Sequence, residues 1–154
     1  MIISKRLGDA EFIMSKDELT YSAVIEDFKN ASQIHILTYN ISKDQNVLLK
    51  ALRDCEEDTE ICIVSNIPGR WESYFGKTYA DKAKRNISLY KSKLSPQKIA
   101  EKAEVYFCFS NHAKIIMTDN IAYVGSSNFS EESADNFESV SYTHLRAHET
   151  RHDL

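Results

Sequence analysis

The sequence has few cysteines and lacks any long apolar run. Its three cysteines, Cys55, Cys62 and Cys108, are odd in number and scattered, which argues against a disulfide framework and a paired-cysteine metal site. We therefore expect the reduced thiols of a cytoplasmic protein, with Cys62 and Cys108 packed in the core because both lie in apolar runs. No run reaches membrane-spanning length, and the first residues, MIISKRLGDAE, do not read as a secretory signal.

Positive charge is not in excess either. The formal net charge is -4, but the charges are unevenly distributed. Acidic residues cluster within 56–60, as in a solvated loop. Basic residues gather further along the chain with few acids between them: Arg70, Lys77, Lys82, Lys84, Arg85, Lys91, Lys93, Lys98 and Lys102. This basic stretch fits either a surface that meets a polyanion or an ordinary charged helix face, and the charge pattern does not decide between them.

The remaining composition suits one globular domain, because 154 residues can bury a proper core. Residues 1–14 read as a hairpin with a turn at 7–9. Apolar periodicity predicts helices over 17–30, 43–55, 70–85 and 97–103, and strands over 33–39, 60–65, 87–91 and 105–109. Alternating strands and helices predict an α/β sandwich, with helices on both faces of a mixed sheet. Because ligands in such sheets sit at the carboxyl ends of strands, the ends at 39–40 and 65–66 are expected to lie near His112.

The most informative stretch runs from residue 111 to residue 138. It contains H-x-K-x-x-x-x-D, formed by His112, Lys114 and Asp119. Residues 115–117 and 121–124 read as two short strands joined by a tight turn at 119–120. The second strand ends in Gly-Ser-Ser-Asn at 125–128, a small polar elbow, and no second H-x-K motif is found in the chain. In a hairpin of this length both ends meet, so the elbow is expected beside His112.

These residue types share a chemistry. A neutral imidazole attacks phosphorus or donates a proton near pH 7. An ammonium binds phosphate oxygens as a point charge, and amide and hydroxyl groups add neutral donors. A glycine lets backbone N–H groups approach an anion closely. Together they predict a phosphate cradle that contains a nucleophile.

The pattern His112-x-Lys114, Asp119, then Gly125-Ser126-x-Asn128, resembles the HKD signature of the phospholipase D superfamily, and Asn136 and Glu138 fit that family's polar-acidic pair. The resemblance implies a phospholipase D-like α-β-α sandwich with a mixed sheet over residues 1–140. It implies catalytic roles for His112, Lys114, Asp119 and Asn128, and substrate binding by Ser126 and Glu138. Asp119 is expected to brace the hairpin, and Glu138 to orient a histidine. No cofactor and no metal are expected.

The resemblance also implies a mechanism. Family phosphodiesterases use two histidines, one from each motif copy, so a single motif implies a homodimer with a shared site. We expect a metal-independent nuclease that cleaves DNA or RNA through a phosphohistidine, with nucleic acid as its partner and no membrane span. Two alternatives stay open. One is a truncated half of a two-motif phospholipase or phosphatidyltransferase, and the other is a non-catalytic module that binds nucleic acid.

The last segment, residues 141–154, differs from this pattern. It reads SYTHLRAHETRHDL, without a helical or strand period, where the family would continue a strand and finish with a helix. It resembles translated vector sequence, so we expect a non-native or disordered tail that replaces the true C-terminus. The evenly spaced His144, His148 and His152 lack the cysteine or carboxylate partners that would complete a zinc site.

Overall fold

The computed structural model describes residues 2–7, 10–17, 19–41, 47–66, 81, 84–85, 87–89, 92, 102–108, 110–130, 135 and 138–144. Its helices are α1 (Ser22–Asp27), a 3-10 helix (Phe28–Asn30) and α2 (Val47–Arg53). Its strands are β1 (Ile2–Leu7), β2 (Ala10–Ser15), β3 (Gln33–Thr38), β4 (Glu60–Ser65), β5 (Ala103–Phe107), β6 (Ile115–Thr118), β7 (Ile121–Gly125) and β8 (Glu138–His144).

The described strands form one mixed sheet in the order β1-β2-β8-β7-β6-β3-β4-β5. The three strands β3, β4 and β5 run parallel to one another, and the other neighbouring strands are antiparallel. Such parallel neighbours need crossover connections, and α2 lies in the connection between β3 and β4. The predicted α/β fold with a mixed sheet is therefore confirmed.

The core lies between the sheet and the described helices. Burial alternates along β3 and β4, so that Ile34, Ile36, Ile61 and Ile63 face the helices and are all but inaccessible. The helical segments contribute large buried side chains to the same cluster: Tyr21, Val24, Phe28, Leu48, Leu49 and Leu52. Burial of one such aliphatic side chain contributes about 1.5–3 kcal/mol, so this layer fixes the strands that carry the site.

Several predicted elements are confirmed with adjusted ends. The N-terminal hairpin is present, with Leu7 paired to Ala10 next to its turn. The strands predicted at 33–39 and 60–65 correspond to β3 and β4. The helix predicted from residue 17 begins only at Ser22, because Asp17 has a φ of 65° and left-handed backbone does not start a right-handed helix. Of the helix predicted over 43–55, the described part is α2, and residues 42–46 lie outside the described residues.

The strand predicted over 87–91 is wrong. Residues 87–89 are helical, and Leu89 is 55% exposed, so this apolar run does not enter the sheet. The third parallel strand is instead β5, which begins two residues before the strand predicted at 105. Arg85 donates from Nε to the carbonyl of Asp81, four residues earlier, which fits the helical backbone there. Most of the helices predicted over 70–85 and 97–103 lies outside the described residues.

Two further expectations need correction. The expectation that residues 141–144 belong to a tail without regular structure is wrong. The strand β8 continues through them to His144 and pairs with both β2 and β7. Two neighbouring strands offer backbone partners there, and that outweighs a weak local pattern. Residues 145–154 lie outside the described residues. Cys108, expected in the core, is exposed, whereas Cys55 is buried and Cys62 half-buried. None of the helices in the described ranges is long and apolar enough to span a membrane.

Candidate active site

The β6–β7 hairpin carries the motif as predicted. The backbone N–H of Gly125 donates to the carbonyl of Lys114 over 3.1 Å, which joins the end of β7 to the residue before β6. The motif histidine and the elbow at 125–128 therefore lie at the same end of the hairpin. The turn with Asp119 lies at the other end.

His112 and Lys114 form the centre of the candidate site. The Lys114 Nζ lies 3.3 Å from Nδ1 of His112 and donates to the His112 carbonyl over 3.0 Å. The His112 side chain is exposed, and that of Lys114 is half-buried. The Tyr39 ring completes the cluster, with its centroid 5.1 Å from the His112 ring centroid and 5.7 Å from Lys114 Nζ. An imidazole and an ammonium are thus held side by side at the surface.

Asn111 joins this pair to the ends of the parallel strands. Its Nδ2 donates to the carbonyl of Thr38 at 3.0 Å, and its Oδ1 accepts from the backbone N–H of Ala113 at 2.9 Å. Asn66, just after β4, donates from Nδ2 to the Asn111 carbonyl at 2.8 Å. These bonds fix the backbone on both sides of His112. The expectation that the ends of β3 and β4 share an edge with His112 is confirmed.

The elbow after β7 is held at the same edge. Thr38 Oγ1 accepts from the backbone N–H of Phe129 at 2.9 Å and donates to the carbonyl of Asn40 at 2.7 Å. Within the elbow, Ser126 is exposed and Asn128 is half-buried. The structure therefore brings both predicted elbow residues to the edge that carries His112.

A second anchor of the elbow comes from the segment before α1. Thr20 Oγ1 lies 3.0 Å from Ser127 Oγ and 2.8 Å from the Tyr123 hydroxyl, and all three side chains are buried. The hydroxyl of Tyr21 donates to the carbonyl of Ser130 at 3.0 Å. The sequence did not predict these contacts, because the residues that they join are more than 100 positions apart. The only local signal is a polar residue directly before an apolar helix.

Asp119 is separated from the reactive pair. The seven residues from His112 to Asp119 are mostly extended and span roughly 20 Å. Asp119 accepts from the backbone N–H groups of Ser32 and Gln33 at 3.0 and 3.3 Å, before β3 and at its first residue. Desolvation raises the pKa of this exposed carboxyl, but the hydrogen bonds from Gln33 and Ser32 outweigh it and lower the pKa below its ordinary value of 3.8. The structure thus places Asp119 where it braces the hairpin, apart from His112 and Lys114, with which the sequence grouped it.

Glu138 begins β8. Gly125 pairs with Val140 in the neighbouring strand, so the backbone of Glu138 lies at the same end of the sheet as the elbow. Asn136 lies outside the described residues.

The side chains in contact with the His112 ring are those of Lys114 and Tyr39. Within the described parts of the chain, no three His, Cys, Asp or Glu residues are grouped so that they could hold a metal ion. Lys114 brings a positive charge beside His112, and Tyr39 brings an aromatic ring. This arrangement suits an anionic ligand.

The structure defines the class of this protein as an α/β domain whose mixed sheet carries a histidine and a lysine at the mouth of an antiparallel hairpin. Residues 24–149 match the family described as "Cardiolipin synthase, PLD-like domain". The chain therefore belongs to this family of the phospholipase D superfamily.

Solved structures share the fold. The phospholipase D family member Nuc from Salmonella typhimurium superposes with a TM-score of 0.57 at 17% identity, over 88% of this chain and 82% of that chain. Polyphosphate kinase from Porphyromonas gingivalis superposes with a TM-score of 0.56 at 15% identity, over 87% of this chain and 23% of that chain. No curated protein matches the chain.

Proposed function

We propose that this protein is a metal-independent phosphodiesterase that hydrolyses nucleic acid as a homodimer, with a phosphohistidine at His112. The observation that carries the proposal is the pair formed by His112 and Lys114, whose Nδ1 and Nζ atoms are 3.3 Å apart on the surface. The pair combines a nucleophile with a fixed positive charge for a phosphate. Membership of the phospholipase D superfamily supports the same reaction class.

In the first step, the Nε2 lone pair of His112 attacks phosphorus, and an N–P bond forms while the P–O bond to the leaving group breaks. The partner subunit's His112 gives its proton to the leaving oxygen. Water then attacks phosphorus, loses a proton to the partner's His112, and breaks the N–P bond. The products are an alcohol and a phosphomonoester, and both histidines return to their starting states.

The contacts of His112 suit either role. When Nδ1 carries the hydrogen, Nε2 has the lone pair for attack, and Lys114 still donates to the His112 carbonyl at 3.0 Å. When His112 acts as the acid, it is an imidazolium with a hydrogen on both ring nitrogens, Nε2 gives its hydrogen to the leaving oxygen, and Lys114 donates to the His112 carbonyl. One side-chain pair therefore serves as nucleophile in one subunit and as acid in the other, and the two states differ by one proton on the imidazole.

A dimer follows from the chemistry. The mechanism needs two histidines, and the chain carries a single H-x-K motif. A two-fold axis through the site supplies the second histidine from an identical chain. Lys114, Ser126 and Asn128 then hold the phosphate oxygens, and the exposed position of Ser126 suits this contact.

The alternative function differs from the first in the phosphodiester that the protein would act on. The description of the matched family names cardiolipin synthase. Phosphatidyl transfer is therefore the second candidate function. The basic stretch after residue 70 favours nucleic acid. In either case the cradle meets the same diester group, so only the leaving group differs. A module that binds nucleic acid without turnover is the third outcome.

One assay separates the three. Purified protein is given single-stranded DNA, RNA or phosphatidylglycerol vesicles, each with excess chelator. We expect cleavage of DNA or RNA in chelator and no turnover of the lipid. Transfer products from vesicles would favour the phosphatidyltransferase. Retention of nucleic acid without cleavage would favour the binding module, and cleavage that depends on added magnesium would contradict the mechanism.

A further inference from the structure

The Tyr39 ring touches both members of the reactive pair. Tyr39 directly follows β3 and is half-buried. Its ring lies 5.1 Å from the His112 ring, centroid to centroid, with the two planes inclined at 57°. The Lys114 Nζ lies 5.7 Å from the same Tyr39 centroid. Because Nζ is also 3.3 Å from His112 Nδ1, the three groups form a closed triangle.

The Tyr39 ring can offset the repulsion between two neighbouring cationic groups. When His112 is protonated, its imidazolium lies beside the Lys114 ammonium, and like charges at this distance repel. The face of an aromatic ring carries partial negative charge and attracts a cation within about 6 Å. Tyr39 is thus placed to hold the ammonium and to limit where the imidazole rotates. Lys and His side chains at a surface otherwise have several rotamers available.

We propose that Tyr39 is a positioning residue for the phosphodiesterase reaction, holding Lys114 and His112 in one arrangement through its ring face. This inference rests on the proposed function. Tyr39 itself does not form or break a bond to the substrate. The neighbouring residue Thr38 holds the backbone of Tyr39 in place, because Thr38 is fully buried and bonded to Asn40, Asn111 and Phe129.

The contacts of Tyr39 join its ring to the side chains of His112 and Lys114. Tyr39→Phe keeps the ring and removes the hydroxyl, whereas Tyr39→Leu and Tyr39→Met keep apolar bulk and remove the ring. Tyr106→Leu is the control, because Tyr106 is an exposed tyrosine on the edge strand β5 and bonds to Glu104. Circular dichroism selects whichever of the Leu and Met variants keeps the fold.

Kinetics on bis(4-nitrophenyl) phosphate give the first readout. The ring-less variant should lose about 2- to 30-fold in kcat with a smaller change in KM, since the interaction aligns reacting groups. Tyr39→Phe and Tyr106→Leu should stay within about twofold of wild type. A ring-less variant with wild-type kcat would overturn the proposal, as would a Phe variant as impaired as Leu.

A second readout does not depend on turnover. The imidazole proton signals of His112 are assigned by NMR and followed as inorganic phosphate is added. Removal of the Tyr39 ring should shift these signals and weaken the phosphate response, and Tyr39→Phe should restore both. Unchanged signals without the ring would overturn the positioning role. If wild-type protein hydrolyses no diester yet shows the ring-dependent signals, the proposed function fails and the positioning of the pair stands.

Discussion

Asp119 accepts two hydrogen bonds from Ser32, one from its backbone N–H at 3.0 Å and one from its hydroxyl at 3.1 Å. This contact ties the turn between β6 and β7 to the residue that precedes β3. It lies at the end of the sheet away from His112. Asp119 thus ties the hairpin that carries His112 to the start of β3.

Asp119→Asn should lower stability and leave the rate unchanged. The folded-state pKa of Asp119 is below its ordinary value, so the ionised carboxyl adds stability above about pH 3.8, and this is lost as pH falls through the folded pKa. The cost at pH 7 should be about 1 kcal/mol or less, because the bonds are exposed. Urea unfolding at pH 7 and pH 3 measures it. A difference from wild type that persists unchanged below the folded pKa would contradict the ionic origin.

His112→Asn should abolish turnover and spare binding. Asparagine keeps some hydrogen bonding but removes the nucleophile and the proton carrier. General acid–base catalysis alone is worth about a hundred- to ten-thousand-fold, so the rate should fall by at least that factor. His35→Asn is the control, since His35 lies within β3. Cleavage kinetics and a filter-binding titration measure the two effects, and equal losses in both variants would rule out a special role for His112.

Lys114→Ala should impair both binding and rate. The ammonium attracts phosphate in the ground state and in the transition state, so KM should rise and kcat should fall together. Lys114→Arg keeps the charge and should recover part of the binding, but less of the rate because the guanidinium has a different shape. Steady-state kinetics at several salt concentrations separate the two effects. A Lys114→Ala variant with wild-type kcat would contradict a transition-state role.

Thr38→Val should destabilise the fold by about 1–3 kcal/mol, because the buried backbone N–H of Phe129 loses its acceptor. Valine fits a strand and has nearly the shape of threonine, so the loss should come from the hydroxyl. Thr38→Ser is the matched variant that keeps the hydroxyl, and it should lose less. Urea unfolding compares them. Equal stability of the valine variant and wild type would show that the elbow does not depend on this bond.

Local pattern was sufficient for the hairpin and for the strands of the core. Nearly continuous apolar runs located β3 and β4, and the spacing of His112, Lys114 and Gly125 located both ends of the β6–β7 hairpin. These features depend on residues close in sequence, where side-chain periodicity and turn chemistry decide the backbone. The same locality explains the error at residues 87–89, where a short apolar run fits a strand and a helix equally well.

The rest of the site depends on contacts between distant segments. Asn111 reads as an ordinary polar residue until it is found between the ends of β3 and β4. Thr20 is separated from Ser127 by 107 residues, and nothing in either neighbourhood indicates the contact. The strand β8 forms because β2 and β7 provide backbone partners on both sides. None of these three features can be predicted until the order of the strands in the sheet is known.

The central claim is a covalent phosphate on His112, and trapping tests it most directly. Protein mixed with a phosphodiester substrate is quenched in base, where phosphohistidine survives, then digested and analysed by mass spectrometry. We predict a phosphoryl adduct that keeps the remaining ester group of the substrate, on the peptide that contains His112, present with chelator and missing from His112→Asn. Turnover in the same mixture with no adduct on that peptide, or with the adduct on another residue, would contradict the account.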